Sequence, residues 1–272
     1  MDRAGTEWRL IPEERRPGPM NMALDEIAAE TAAAGGPRTV RLYRWDPSTL
    51  TLGYSQDTAT VDWAYCDREG ITVTRRQTGG GGIYHDVDAD VSYSVVLPAD
   101  EVPGDLLASY EALCRPLLDA LDALGVDARF ADAAVPALHD PACYLRALHP
   151  AHDVVAGEGR KISGNAQYRQ RGAVVQHGSL AVDNRPERHL GVFADPGVSP
   201  AAYGDRVTSV REQVGASRAA VVAALEGALR DWAGAEVGEW TDAELSRARE
   251  RAESKYADDG WTRRRAPRSR SG

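Results

Sequence analysis

The 272-residue chain is 43% apolar and 27% charged, which is the composition of an ordinary globular protein. Its length suits one large domain, or a catalytic domain of about 200 residues with a small appendage, and no apolar run approaches the roughly 18 residues that a membrane span needs. The net charge of −9, from 41 acidic and 32 basic residues, disfavours a broad surface for nucleic acid.

The N-terminal stretch and the cysteines both indicate a reducing compartment. The first residues contain no apolar segment of the kind that a secretory signal requires, so we expect a cytoplasmic location. Cys66, Cys114 and Cys143 lie far apart with no CxxC pair, which argues against a zinc knuckle or a disulfide framework. We therefore expect reduced thiols and no protein-bound metal site.

The first half of the chain mixes helix and strand signals. Apolar residues recur at helical spacing from residue 20 to residue 28, and two glycines then provide a stop. The runs TVRLYRW, ITVTRRQ and DVSYSVVLP are rich in β-forming residues and are bounded by Pro, Asp or Gly, so they predict strands. A second apolar stripe over residues 106–124 predicts another helix and places Cys114 in the core.

The second half predicts an antiparallel meander followed by helices. Residues 152–183 read as three strands joined by a glycine turn and an Arg-Gly turn. Apolar residues from Val221 to Trp232 predict a helix, and Thr241 with Glu244 forms a capping-box pattern for the last one. Helices and antiparallel strands interleave without regular βαβ repeats, so the class is α+β or mixed α/β. The predicted divisions are one domain over residues 1–240, a C-terminal helical segment over 241–262 and a disordered basic tail over 263–272.

The stretch RRQTGGGGIYHD, residues 75–86, places four consecutive glycines between two arginines and a His-Asp pair. It matches neither a Walker loop, since no Gly-Lys-Ser/Thr follows, nor a dinucleotide fingerprint, since a strand rather than a helix follows. One interpretation is a flexible hairpin turn. The other is a backbone without Cβ atoms that a ligand approaches closely, with Arg75 and Arg76 meeting a phosphate or carboxylate. His85 and Asp86 would then form an oriented polar pair on the other side.

Lysine is rare in this chain, because only Lys161 and Lys255 are lysines among the 32 basic residues. An ammonium is a compact point charge and a guanidinium is a planar fork, so a retained lysine is expected to do something that arginine cannot. In GRKISGNAQ the alternatives are an exposed turn lysine and a cation that contacts an acyl carbonyl or a phosphate. Asn165 and Gln167 alternate along this strand and would face the same ligand. His177, on the next strand, is either a ligand contact or a structural histidine.

Six segments in order resemble the lipoate-protein ligase A family of the biotin and lipoate protein ligase superfamily: NMALDE, RLYRWDPSTLTLGYSQ, RRQTGGGGIYHD, GRKISGNAQ, QHGSL and KYADDGW. They span most of residues 20–261, and both lysines fall inside them. The resemblance implies a mixed and antiparallel sheet flanked by helices, with the catalytic domain over residues 1–240. It also implies an enzyme that activates lipoate or octanoate with ATP and Mg²⁺ as an acyl-adenylate and passes the acyl group to a lysine of a lipoyl carrier domain.

The resemblance further assigns the residues of the acyl and adenylate pocket. Lys161 would contact the reactive carbonyl and phosphate, where a fixed cation stabilises developing charge. The glycine loop and the meander would line the pocket through Arg75, Arg76, Thr78, Gly79, Gly80, Gly81, Gly82, His85, Asp86, Ser163, Gly164, Asn165, Ala166, Gln167, His177 and Gly178.

A second activity is implied by the same family. Some members are octanoyltransferases that take the acyl group from an acyl carrier protein through a cysteine, without ATP. That cysteine lies shortly before the GRK motif, and Cys143 stands near this place, with an insertion between it and Gly159. A catalytic Cys143 would need its thiolate stabilised, and His149 and His152 are candidate helpers. The alternative for Cys143 is a loop thiol without a role.

Partners follow from the resemblance as well. The acceptor would be a lipoyl carrier domain, either a glycine-cleavage H protein or the E2 subunit of a 2-oxoacid dehydrogenase. Because only about 30 residues follow Trp240, we predict a separate small accessory subunit for ATP activation. A biotin-protein ligase is disfavoured by the form of the glycine signature, and a noncatalytic carrier-binding protein is disfavoured by the retention of Lys161. We expect neither a nucleic-acid partner nor a membrane partner.

Overall fold

The computed structural model describes residues 7–170 and 172–264. Its strands are β1 (Trp8–Arg16), β2 (Arg38–Trp45), β3 (Thr49–Leu52), β4 (Thr72–Arg75), β5 (Ile83–His85), β6 (Asp90–Pro98), β7 (Ala128–Phe130), β8 (Asp153–Ala156), β9 (Lys161–Gln170), β10 (Ala173–Ala181) and β11 (Glu236–Val237). Its α-helices are α1 (Gly18–Ala33), α2 (Trp63–Arg68), α3 (Leu106–Ala123), α4 (Pro186–Gly191), α5 (Pro200–Arg206), α6 (Val210–Val214), α7 (Arg218–Ala233), α8 (Asp242–Arg251) and α9 (Asp259–Thr262). Short 3₁₀ turns occur at Thr58–Thr60, Ala99–Glu101 and Cys143–Leu145, and a π-helical turn at Ala252–Tyr256.

The strands form two sheets. The larger sheet has the order β11-β1-β2-β6-β10-β9-β8-β7, and the smaller sheet has the order β4-β3-β5. In the larger sheet β1 pairs in parallel with β11 and β2, whereas the remaining neighbours are antiparallel. The mixed α/β class predicted from the sequence is confirmed, and so is the antiparallel meander of β8, β9 and β10.

Helices cover both faces of the larger sheet. Leucines of α3 and α7, such as Leu117 and Leu225, share one core cluster with Val174 of β10. The next residue of that strand, Val175, belongs to a second cluster with α1 and α8. Successive side chains of a strand point to opposite faces, so β10 contributes to both cores. Each fully buried Val or Leu contributes about 1.5–3 kcal/mol, which makes this three-layer packing the main source of stability.

Helix α1 carries a buried polar group as well as apolar residues. It begins directly after Pro17, whose backbone is already extended, and most of its length is buried. The fully buried Arg41 on β2 donates to Asn21 Oδ1 at 2.9 Å and to Asp25 Oδ1 at 3.1 Å. A buried charge requires such partners, because breaking a buried ion pair costs several kcal/mol. This network holds the Asp25 side chain in place on α1.

The C-terminal helices pack back onto the rest of the chain. The capping box of Thr241 and Glu244 predicted from the sequence is confirmed, and Glu244 also binds Arg9 of β1 at 2.6 Å. The proposed boundary at residue 240 stays a prediction, and the proposed basic tail lies outside the described residues from residue 265 onwards. No helix in the described part of the chain has the length and apolarity of a membrane span.

Candidate active site

A cavity of about 360 Å³ opens where β2, β6, β9 and β10 face the glycine loop, a volume within the usual range for small-molecule sites. Two loops close it, residues 76–83 and residues 143–153. The predicted site residues that line the cavity are Arg76, Gly79, Gly80, His85, Cys143, Lys161, Gly164, Asn165, Ala166, His177 and Gly178. The predicted site residues that are not part of its lining are Arg75, Thr78, Gly81, Gly82, Asp86, Ser163 and Gln167.

The glycine loop is folded around its own arginine. The Arg76 guanidinium donates to the carbonyls of Gly79 and Gly81 at 2.8 and 2.7 Å and to the Thr51 carbonyl at 2.8 Å. Its Nε donates to Thr78 Oγ1 at 2.9 Å. Burial lowers the pKa of Arg76 to about 10, which still leaves the group charged at neutral pH. Arg76 therefore holds the loop in shape instead of presenting free donors to an anion.

Arg75 points away from the cavity, so the expectation that it meets the ligand's anion is not met by its position. It is fully buried and donates to the backbone carbonyls of Gly53 and Gln56 at 2.7 and 2.8 Å. It also donates to the carbonyls of Trp261 and Thr262, both at 3.1 Å. Arg75 is the last residue of β4 and Arg76 follows it directly, and successive side chains of an extended backbone point to opposite sides. Arg75 ties the C-terminal segment to the loop region.

His85 and Asp86 do not form the expected pair. His85 contacts Asp90 through Nδ1 at 3.2 Å and stacks on Trp45 with ring centroids 4.1 Å apart. Asp86 instead accepts a hydrogen bond from the Tyr84 hydroxyl at 2.8 Å. Strand alternation places Tyr84 and Asp86 on one face and His85 on the other, so the carboxylate partner of His85 comes from β6. Burial lowers the pKa of His85, and the Asp90 carboxylate opposes part of that effect.

Polar residues of β9 lie at different distances from the cavity. Asn165 accepts a hydrogen bond from the Tyr93 hydroxyl at 2.7 Å and donates to the His152 carbonyl at 3.0 Å. Ser163 is buried, and its hydroxyl donates to the Ser179 carbonyl at 2.8 Å. Gln167 lies beyond the cavity, where it accepts a hydrogen bond from Ser109 of α3 at 2.8 Å. Asn165 and Gln167 therefore do not face a common ligand, because α3 covers the outer end of β9.

His177 lines the cavity with both ring nitrogens engaged. Its Nε2 lies 3.0 Å from Thr78 Oγ1, and its Nδ1 lies 3.3 Å from Asp25 Oδ2. Of the two interpretations open from the sequence, this geometry fits a structural histidine. It links the glycine loop, through Thr78, to the buried polar group of α1 and β2.

Glycines of the run, together with Gly53, allow neighbouring loops to approach closely. A Cβ on Gly53 would lie 1.9 Å from the Gly80 carbonyl oxygen, and a Cβ on Gly81 would lie 2.7 Å from the Pro141 carbonyl oxygen. The Gly82 carbonyl accepts the Cys143 N–H at 2.8 Å, and the Gly82 N–H donates to the Pro141 carbonyl at 2.7 Å. Side chains at these positions would push the loops apart. The glycine run thus positions the turn that carries Cys143.

Cys143, Lys161 and Asp153 form a compact polar cluster in the cavity wall. The Lys161 ammonium donates to Asp153 Oδ1 at 2.6 Å and to the Cys143 carbonyl oxygen at 2.8 Å. Its distance to Cys143 Sγ is 3.9 Å. Lys161 is 1% exposed and Asp153 is 3% exposed, whereas Cys143 is partly exposed. The sulfur is reachable from the cavity, and the cation beside it is shielded from water.

The charges of this cluster stabilise one another. Burial alone would lower the pKa of Lys161, but the neighbouring Cys143 and Asp153 negative charges raise it above its ordinary value. Burial would raise the pKa of Asp153, and Lys161 with His152 instead holds it well below its usual range. Lys161 is therefore a fixed cation at neutral pH, suited to stabilise a thiolate or a developing oxyanion.

The other two cysteines lack these features. Cys66 and Cys114 are fully buried, and burial raises the pKa of each thiol to about 12. Cys114 accepts a hydrogen bond from Gln176 at 3.3 Å within the core, as expected for a core thiol. Among the three cysteines, Cys143 alone combines access from a cavity with an adjacent cation, which are the features of a reactive cysteine.

Two histidines stand at the rim of the cavity. His149 and His152 stack with ring centroids 4.8 Å apart, and His152 Nδ1 lies 3.5 Å from Asp153 Oδ1. These residues were candidate helpers of Cys143 in the sequence. The structure makes Lys161 the charged group nearest the sulfur, and His152 contacts the cluster through Asp153.

Several lining residues were missed by sequence reasoning. They comprise an apolar wall, a set of small hydroxyl side chains and the loop after Cys143: Met22, Tyr43, Trp45, Ile83, Thr51, Ser92, Ser179, Arg146, Ala147 and Asp153. Tyr43 and Trp45 alternate within a correctly predicted strand, but alternation alone does not distinguish a cavity wall from a core. Asp153 directly follows His152 in the predicted meander, and its pairing with Lys161 depends on strand register.

Comparison with known proteins gives consistent matches along the chain. A family model of the lipoyl protein ligase A/B catalytic domain matches residues 17–230. The chain is 34% identical to octanoyltransferase LipM of Kyrpidia tusciae over 274 residues, which covers 95% of this chain and 99% of that protein. It is 35% identical to octanoyltransferase LipM of Geobacillus kaustophilus over 201 residues, which covers 70% of each chain.

Solved structures show the same similarity in three dimensions. A lipoate-protein ligase A bound with ATP is 28% identical, with a TM-score of 0.77 over 94% of this chain and 98% of that one. A bi-partite lipoate protein ligase from Thermoplasma acidophilum, studied with its E2 lipoyl domain, is 26% identical with a TM-score of 0.76. It covers 94% of this chain and 96% of that one.

Proposed function

The chain belongs to the lipoyl protein ligase A/B catalytic domain family, whose members transfer acyl groups, and on that premise we propose that it is a cysteine-dependent octanoyltransferase. The acyl group passes from a carrier thioester to Cys143 and then to a lysine of a lipoyl carrier domain. The main observation behind this proposal is that the Cys143 sulfur lies in the cavity wall, 3.9 Å from the Lys161 ammonium, which is shielded from water. The LipM names of relatives that align over nearly the whole chain support this activity.

In the first step the Cys143 thiolate attacks the carbonyl carbon of the donor thioester. The new C–S bond forms as the donor's C–S bond breaks, and the donor leaves as a thiolate that takes a proton from water. Lys161 stabilises both the attacking thiolate and the negative charge that develops on the carbonyl oxygen. Its three donors are oriented by Asp153 and by the Cys143 carbonyl before the substrate arrives.

In the second step the neutral amine of the acceptor lysine attacks the Cys143 thioester. A C–N bond forms, the C–S bond breaks, and Cys143 is released as a thiolate, while the attacking nitrogen gives its extra proton to water. The product is an octanoylated lysine on the partner protein. The partly exposed sulfur allows both the donor and the acceptor to reach it in turn, which a fully buried thiol would prevent.

The ATP-dependent ligase expected first from the sequence uses the same pocket for a different activation. It would need ATP with Mg²⁺ and lipoate, and the ligase A structure bound with ATP shows that this fold accommodates the nucleotide in that protein. Thioester exchange needs no such activation, because the donor carbonyl is already bonded to a good leaving group. A separate accessory subunit belongs only to the ATP-dependent route, so we expect this chain to act alone.

The test is acylation of a purified apo lipoyl domain, read by intact mass. Two donors are compared: octanoyl-carrier protein without ATP, and lipoate with ATP and Mg²⁺. We expect transfer from the carrier thioester, loss of that transfer in Cys143→Ala and Lys161→Ala, and an octanoyl adduct on the native enzyme when the acceptor is omitted. Cys66→Ala is the matched control, since it removes a fully buried thiol that does not line the cavity. ATP-dependent lipoylation that survives Cys143→Ala would show a ligase instead.

A further inference from the structure

Arg146 is a cation at the mouth of the cavity with no ion-pair partner among the described residues. It directly follows the turn Cys143–Leu145, its side chain is exposed, and it belongs to the cavity lining. Within residues 7–170 and 172–264, no ion pair or hydrogen bond of its guanidinium with a carboxylate is present. Its five N–H donors are therefore available to a ligand at the entrance of the site.

The charge of Arg146 acts on the two buried cations of the cavity. Burial lowers the pKa of Arg76, and the positive charge of Arg146 adds to this effect. The same charge also opposes the elevation of the Lys161 pKa. Arg146 therefore combines a place in the cavity lining with an electrostatic effect on the two cations inside it.

This arrangement contrasts with that of several arginines elsewhere on the surface. Arg115, Arg129 and Arg185 each lie within 2.8 Å of an aspartate oxygen. Acidic residues outnumber basic ones by 41 to 32, so an exposed arginine readily finds a carboxylate. Like the exposed Arg230 and Arg249, Arg146 has no carboxylate partner among the described residues, but unlike those two it lines the cavity.

The cavity lining has the opposite charge sign from the chain as a whole. Its cationic side chains are Arg76, Arg146 and Lys161, and its carboxylate is Asp153, which is already paired with Lys161. The chain carries a net charge of −9. Of the three cations, Arg76 is bonded to its own loop and Lys161 to the catalytic cluster. The donors available to an incoming anion are those of Arg146, and the positive lining favours its approach.

We propose that Arg146 binds the phosphate ester on the arm that delivers the acyl thioester to Cys143. This inference rests on the proposed transferase function and names the part of the donor that the mouth of the cavity recognises. A guanidinium fork matches two phosphate oxygens, which a neutral arm would not offer. Three residues of backbone span at most about 10 Å, which limits the distance between the Cα atoms of Cys143 and Arg146. The extended arm of the donor is long enough to reach from one residue to the other. Its contact holds the donor while the thioester lies at Cys143.

The test compares donors that differ only in the phosphate. Octanoyl-pantetheine lacks it, and octanoyl-4′-phosphopantetheine carries it, so both deliver the same thioester. Initial rates of octanoyl transfer to an apo lipoyl domain are measured for the native chain, Arg146→Ala and Arg146→Lys. Arg115→Ala is the matched control, because it removes an exposed arginine with the same net charge change from the surface of α3.

We expect the KM for the phosphopantetheine donor to rise about tenfold in Arg146→Ala with kcat nearly unchanged, as for the loss of one exposed charge-assisted contact. Arg146→Lys should raise this KM by less, because lysine keeps the positive charge but lacks the planar fork of donors. The KM for the pantetheine donor should change by less than about twofold in both variants. Arg115→Ala should leave both donors unaffected.

Equal KM values of the native chain for the two donors, or equal losses for both donors in Arg146→Ala, would overturn the Arg146 inference while leaving the transferase function intact. A native chain that transfers from neither donor would overturn both. A third arm with lipoate, ATP and Mg²⁺ separates the two sources of phosphate. If Arg146→Ala raises the KM for ATP and spares the phosphopantetheine donor, the phosphate site serves the nucleotide and the inference is wrong.

Discussion

Replacing Asp153 by Asn tests whether Lys161 works as a fixed cation. The substitution keeps the size and shape of the side chain and removes its charge from a pair whose atoms lie 2.6 Å apart and away from water. Two opposite outcomes are possible for Cys143. If the carboxylate acted only by repelling a thiolate, its removal would make the cysteine more reactive. If it keeps Lys161 protonated, its removal makes the cysteine less reactive.

The structure favours the second outcome. Removing one partner of a buried ion pair costs about 3–5 kcal/mol, because the remaining charge stays desolvated. One pKa unit corresponds to about 1.36 kcal/mol, so this cost is large enough to bring the Lys161 pKa down toward neutrality. Lys161 would then lose its proton, and with it the charge that stabilises the thiolate. Cys143 Sγ lies 3.9 Å from the ammonium that carries that charge.

The assay is alkylation of Cys143 by iodoacetamide as a function of pH, followed by intact mass. We expect Asp153→Asn to react at least about tenfold more slowly at pH 7, in line with a loss of more than one pKa unit of stabilisation. In a Lys161→Met background the same substitution should have almost no further effect. Asp140→Asn, an exposed carboxylate on the same loop, is the control. Faster alkylation of a folded Asp153→Asn protein would refute the reasoning.

The remaining predictions concern packing and pH. A Cβ on Gly164 would lie 3.2 Å from the nucleophilic sulfur, so Gly164→Ala should lower kcat by about 10-fold or more while the melting temperature stays near native. A Cβ on Gly53 would lie 1.9 Å from the Gly80 carbonyl, so Gly53→Ala should destabilise the chain by about 2 kcal/mol or more in denaturant unfolding. Burial opposes ionisation of Glu244, but Arg9 lowers its pKa from 4.5 to about 2. Because the folded pKa is depressed, this stabilisation is present above pH 4.5 and is lost as the pH falls toward 2. Glu244→Gln should therefore flatten the acid limb of the stability curve, measured by thermal melts between pH 2 and 7.

Much of the fold was predictable because its signals are local. The helical stripes of α1, α3 and α7 and the Thr241 capping box are patterns within a few turns of chain, and all four are present. The meander was predictable for the same reason, since its strands are consecutive. The order of the larger sheet, in which β1 lies between β2 and β11, was not, because it joins segments more than 200 residues apart.

The site was predictable as a set of motifs but not as a geometry. Lys161 was singled out by its rarity, and the structure places it in the cavity wall next to Cys143. Arg75 was expected in the pocket with Arg76, yet a single step along the strand turns it toward the C-terminal segment. Asp153 gave no signal of its own. Its role depends on the register of β8 against β9, which sequence spacing does not determine.

The placement of Cys143 links these observations to the chemistry. A nucleophile on a loop needs that loop to be held rigidly, and a loop of this length would otherwise be mobile. Here the backbone of Cys143 is fixed on one side by Gly82 and on the other by Lys161, which binds the Cys143 carbonyl at 2.8 Å. The glycine run makes the first contact possible by letting two backbones meet, and the lysine makes the second. Under the proposed mechanism the same lysine positions the nucleophile and supplies its counter-charge, and an arginine, with its larger planar head, would not fit both tasks at a buried position.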